Sequence, residues 1–145
     1  MKKNHPMVQD IYSKFPRVGR IFNCNKHLQV IWSWNLPNKL KENCWMVAPD
    51  HILTWNNLEK RGFIGPNIYS LCMRRTEDTE HLLIKCTYAR LIWDGVMEEM
   101  KLPFDGTNQS LNICLLSWFT SYRKYMSLPL YIIWIIWCSR NARIF

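Results

Sequence analysis

Between Cys72 and Cys86 the chain gathers three residues that a divalent metal can bind, and no other stretch limits its folding as strongly. Eight residues separate Cys72 from His81, and four separate His81 from Cys86. Thiolate sulfur and imidazole nitrogen are the donors zinc prefers, and a small domain can draw most of its folding free energy from one such site. A turn carrying His81, followed by a helix starting near Thr87, would bring the three side chains together and hold the loop 73–80 against that helix. Structural zinc sites close a tetrahedron with four ligands and often begin with a Cys-x-x-Cys pair. Here Tyr69 stands three residues before Cys72, where the first cysteine of such a pair is expected. The fourth donor is left open between Cys24 or Cys44 folding back, His51 from the preceding loop, and water. The alternative to a metal site makes Cys72 and Cys86 small buried residues and His81 a hydrogen-bonded turn residue.

The rest of the chain reads as helices. With 145 residues there is room for one domain or one and a half. Hydrophobic residues make up 48% and charged residues 21%, the composition of a globular protein. Asn38 is placed to cap a helix carrying Leu40, Cys44, Val47 and Ala48, which Pro49 ends. Thr54 is a second N-cap, with Leu53 and Leu58 as a hydrophobic staple and Gly62 as the stop after Lys60 and Arg61. Gly65, Pro66 and Asn67 mark a turn in the loop 63–77. Asp78 or Thr76 caps the single turn that carries His81. Thr87 caps a longer helix with Leu91, Ile92, Val96 and Met100 on one face, closed by Pro103 and Gly106. Ser110 caps the next, with Leu111, Leu115, Trp118 and Tyr122 as its stripe.

The last helix runs from about Pro129 to about Arg143, and residues 132–137 leave it almost no polar face. Such a helix must be buried in a core or docked on a partner. Residues 131–137 also fit a strand, because β-branched and aromatic side chains dominate there. Eight tryptophans add to this apolar load. The expected fold is therefore mainly α: a small helical domain with a Cys/His zinc-ligand loop and two apolar C-terminal helices. Its expected organisation is a poorly structured segment over 1–30, a metal-binding domain over 31–102, and a Trp-rich helical extension over 103–145.

A net charge of +8 favours nucleic acid or another anionic surface as neighbour. Lys39, Lys41, Lys60, Arg61, Arg74 and Arg75 are the candidate phosphate contacts, and Trp55 a candidate stacking surface. Otherwise these cations solvate ordinary helix faces. No Gly-rich phosphate loop and no His-Glu-x-x-His sequence occurs, so an enzyme active site is not expected. Glu77, Asp78 and Glu80 lie where acids serve as caps and helix-dipole partners. Cys86 with His81 lacks the orienting group and oxyanion hole that a nucleophile needs. The N-terminus leads into no apolar run, and the run at 128–138 is too short to cross a bilayer. The expectation is an intracellular protein of the nucleus or cytoplasm, away from membranes, with its six cysteines reduced.

Residues 77–93, with His81 and Cys86 at their centre, resemble the core of the reverse-transcriptase zinc-binding domain family, which follows the polymerase region in plant LINE-type (non-LTR) retroelements. Leu53, Thr54, Leu58, Arg61 and Gly62 are similar to an upstream family segment, as are Trp32, Pro37 and Lys39 to an earlier one. Trp134, Trp137, Arg140, Asn141 and Phe145 resemble the segment that leads towards a ribonuclease H domain in longer relatives. Phe15, Pro16, Arg17, Asn25 and Lys26 resemble a segment that normally lies much farther upstream, which implies an internal deletion near Val30. The family begins its metal cluster with Cys-x-x-Cys, from which Tyr69 departs. The resemblance implies a non-enzymatic zinc-binding module, structural or associated with RNA or DNA, with Cys72, His81 and Cys86 as ligands. It implies neither a polymerase palm nor a ribonuclease H domain here. The alternatives are a metal-free interaction module that docks its Trp-rich C-terminal helices on a partner protein, and a retroelement relic.

Overall fold

Pro129 and the apolar run behind it set the frame. In the computed structural model, which describes residues 29, 31–103 and 108–145, this run is one helix, Leu128–Ile144, with Pro129 in its first turn, where a missing N–H costs nothing. The strand alternative for 131–137 is thereby excluded. Leu130, Ile132, Ile133, Ile136 and Arg140 are buried on one face, while Tyr131 and Ile135 are exposed. No helix among the described residues is long and apolar enough to cross a membrane. The chain divides into two compact units, Met1–Trp34 and Asn35–Phe145, and the helices described below belong to the second. The expectation for 1–30 falls outside the described residues except at Gln29.

Among the described residues, five α-helices order the second unit: α1 (Asn38–Val47), α2 (Trp55–Glu59), α3 (Thr87–Met100), α4 (Leu111–Ser121) and α5 (Leu128–Ile144). A π-helical turn, His81–Lys85, precedes α3, and a 3-10 turn, Arg123–Tyr125, joins α4 to α5. Helix α5 packs on α1, on α3 and on the π turn. No strand occurs among the described residues, and a single antiparallel bridge pairs Ile68 with Thr76. The fold is mainly helical, built around a Cys/His cluster.

Helix starts follow the local chemistry with two differences. Thr54 caps α2 as expected, its Oγ1 accepting from Asn57 N at 3.3 Å, and Gly62 takes φ +87° beyond the helix end. Asn38 and Thr87 are the first residues of α1 and α3, one position inside the caps, and Pro37 and Cys86 hold the cap positions. Ser110 does precede α4, but the side chain that receives Leu111 N–H is Glu80, at 3.2 Å. The buried face of α3 also differs. Ala89, Trp93 and Met97 face the core, and Leu91 is exposed. The reason is Trp93: its indole N–H donates to the Leu83 carbonyl at 2.9 Å, and that buried bond fixes the helix rotation.

One ion pair ties the far end of the chain to the middle. Arg140 Nε donates to Glu77 Oε2 at 3.0 Å, Arg140 Nη2 donates to Glu77 Oε1, and Nη2 also reaches the Leu53 carbonyl at 3.2 Å. Glu77 Oε1 accepts in addition from Trp55 N at 3.0 Å. Both side chains are buried, with 0% of Glu77 and 4% of Arg140 exposed, so neither charge is shared with water. Helix α5, the start of α2 and the residue before Asp78 are thus held by one carboxylate.

Candidate metal centre

Two local devices present the three ligands. The first is the loop closed by the Ile68–Thr76 bridge, in which Tyr69 N donates to the Arg75 carbonyl at 2.9 Å and Met73 N to the Tyr69 carbonyl at 2.8 Å. Met73 takes φ +52°, a left-handed residue that turns the chain back directly after Cys72. The second is the turn of His81. Asp78 caps it, its Oδ1 accepting from His81 N at 2.7 Å, and its carbonyl accepts from Leu82 N at 2.9 Å. Cys86 N then donates to the His81 carbonyl at 2.8 Å, a bond spanning five residues. On an α-helix, residues five apart point about 140° from each other. The wider π turn brings them towards one side, and such turns collect at functional sites. This hydrogen bond joins the backbones of the two ligands directly.

The ligand atoms of Cys72, His81 and Cys86 all lie within 4.8 Å of one another, and Cys72 Sγ is 3.2 Å from His81 Nε2. A tetrahedral zinc ion needs sulfur–nitrogen edges of about 3.6 Å and sulfur–sulfur edges of about 3.8 Å. Small side-chain adjustments reach both, so these residues fit the metal as a Cys2His set. Cys86 and His81 are buried and Cys72 is half-buried. Burial pushes the Cys86 thiol up, with Cys72 adding to the rise, while the N–H groups of Tyr88 and Ala89 at the start of α3 draw it back. Burial also holds His81 below the usual imidazole value, against Asp78 and with Arg75. A neutral imidazole is the form that ligates, and metal binding displaces thiol protons. Cys44 and His51 do not join the cluster, and Cys24 lies outside the described residues.

Five of the six sequence-predicted cations are exposed on the surface. Lys39 is exposed, with its ammonium 5.6 Å from the Trp134 ring centroid. Lys60 lies 3.6 Å from Asp50 and donates to Asn57 Oδ1, and Lys41 is buried. Arg61, Arg74 and Arg75 are exposed, and the last two line an open cavity of about 470 Å³ beside the metal ligands, together with Lys85 and His81. The neighbouring acids have structural partners: Glu77 holds Arg140, Asp78 caps His81, and Glu80 receives Leu111 N–H.

Two supporting contacts were invisible in the sequence. Trp93 braces the π turn through Leu83, and Lys85 ties that turn to the Gln109 carbonyl at 2.8 Å. Tyr69 is fully buried against the cluster, its ring 5.7 Å from the His81 ring at 88°. Its position three before Cys72 was the available signal. No curated protein and no solved structure matches the chain. A family model described as zinc-binding in reverse transcriptase matches residues 7–93, a span that contains all three ligands. That match takes in more than half of the chain, which therefore belongs to the family of zinc-binding domains in reverse transcriptase.

Proposed function

We propose that the protein is a non-enzymatic zinc-binding module of a retroelement reverse transcriptase, with Cys72, His81 and Cys86 as the ligands. The observation that carries this reading is the convergence of three soft donors on one point, with two of them joined by the Cys86–His81 backbone bond. Bound zinc would cross-link the 68–76 loop to the π turn and the start of α3, and thereby stabilise the fold. The non-enzymatic part is supported by the acids around the site, since Glu77, Asp78 and Glu80 each hold a structural partner. Metal analysis of untagged protein, purified without chelator, tests it: about one zinc per chain is expected, and a sharp loss in Cys86→Ser. Metal far below that level, with Cys86→Ser melting like the parent, would remove the reading.

Nucleic acid is the proposed neighbour. Arg74 and Arg75 line the cavity beside the ligands, which Asp78 and Glu80 also line, so a metal-ordered loop would order these two cations for phosphate. Lys39 and Arg61 extend the exposed charge, whereas Lys60 is occupied by Asp50 and Lys41 is buried. Binding to single-stranded RNA should weaken steeply as salt rises, with a shallower slope in Arg74→Ala/Arg75→Ala. A slope unchanged in that variant would move the contact elsewhere.

A further inference from the structure

The Tyr69 hydroxyl is a buried polar group without a hydrogen-bond partner among the described residues. Tyr69 is 0% exposed, so water does not satisfy it. A structural tyrosine finds a partner for its hydroxyl when buried, and an orphan is costly and rare. The surroundings give the orphan a direction. The Tyr69 ring meets the His81 ring edge to face, which places it beside one of the three ligands. Tyr69 and Cys72 flank the same tight turn, in which Met73 N binds the Tyr69 carbonyl. The ring does not separate Cys72 from His81, whose Sγ and Nε2 are in contact at 3.2 Å.

We propose that Tyr69 is the fourth member of the metal centre, its hydroxyl oxygen completing a Cys2HisTyr set around the ion. The proposal rests on the zinc-binding reading and goes beyond it by naming the group that closes the site. Coordination would displace the hydroxyl proton, as it displaces the thiol protons, and the phenolate would join two thiolates and a neutral imidazole, the net charge that a Cys3His site carries. Oxygen is a weaker partner for zinc than sulfur, so this centre should exchange its metal more readily than a four-ligand Cys/His site.

The test uses the full chain, with cobalt(II) as a spectroscopic stand-in for zinc, titrated without oxygen in the parent and in Tyr69→Phe. The parent should bind one cobalt with the intense visible bands of tetrahedral coordination. Tyr69→Phe should bind it about ten-fold or more weakly with altered bands. The metal-free Tyr69→Phe protein should melt no lower than the metal-free parent, because the lost hydroxyl has no partner among the described residues. Those two results together separate a metal-directed hydroxyl from a merely structural one. Equal affinity and identical bands in the two proteins would overturn the proposal while leaving the zinc reading in place. A lower melting point for the metal-free variant would also overturn it, by revealing a partner within the fold. Failure of the parent to bind either cobalt or zinc would remove the zinc reading, and the proposal with it.

Discussion

Replacing Arg140 by Met should cost this protein more than any loss of surface charge. The Glu77 carboxylate receives two donors from Arg140 and one from Trp55 N, and none of it is exposed. Arg140→Met keeps the stem that crosses the core and removes both donors, leaving an ionised carboxylate with a single N–H partner. Breaking a buried pair in this way costs about 3–5 kcal/mol, against about 5–15 kcal/mol for the whole fold. For a chain of this size each kcal/mol moves the melting point by about 2–4 °C, so a drop of roughly 6–20 °C is expected. Urea unfolding followed by tryptophan emission, with excess chelator in both samples, measures the change as a shift in midpoint at constant slope. Adding Glu77→Gln should recover part of the loss, since the amide removes the stranded charge and still accepts from Trp55 N. A cost below about 1 kcal/mol for Arg140→Met would place the pair with exposed ion pairs and refute the reasoning. The effect should reach the metal as well. Glu77 directly precedes Asp78, the cap of the His81 turn, so loosening it should weaken zinc binding in the same variant.

Trp93→Phe removes the donor from the buried Leu83 carbonyl and shrinks a fully buried ring, with an expected cost of about 2–4 kcal/mol in urea unfolding. An unchanged midpoint would mean that α3 is not oriented by this bond. Burial and Arg61 hold His51 below its unfolded imidazole value, so its contribution to stability is complete above about pH 6.5 and is lost as the pH falls through the depressed folded value. The urea midpoint of metal-free protein should therefore fall between about pH 7.5 and pH 5.5, less steeply in His51→Gln, and a rising midpoint contradicts the sign. Burial pushes the Cys114 thiol up to about 12, while Cys138 is exposed. Iodoacetamide mapped by mass spectrometry should thus label Cys138 in the folded protein and Cys114 only in denaturant, and early labelling of Cys114 would contradict its burial.

Legibility in the sequence tracked how local each cause was. Thr54 and Asp78 accept from N–H groups three residues on, and Pro129 lacks an N–H where a first helical turn needs none, so side-chain type and spacing were enough to find them. The face of α3 was misread because two apolar stripes overlap, and the choice between them is made by a bond from Trp93 to Leu83, on another element. Glu80 capping α4 and Arg140 holding Glu77 span 31 and 63 residues, and no local pattern announces either. The metal ligands lie between these cases. Their types and order were readable, but an α-helical turn would have pointed His81 and Cys86 apart, and only the π turn draws them together. Nothing in a run of Leu82, Leu83 and Ile84 separates the two turns, since each buries the same side chains. Trp93 and Lys85 tie the π turn to residues outside it, contacts that no local pattern announces. Tyr69 follows the same logic. By sequence it is a missing cysteine, whereas in three dimensions it is a buried tyrosine whose ring meets that of His81 and whose hydroxyl has no partner among the described residues, so the departure from pattern has a chemical direction.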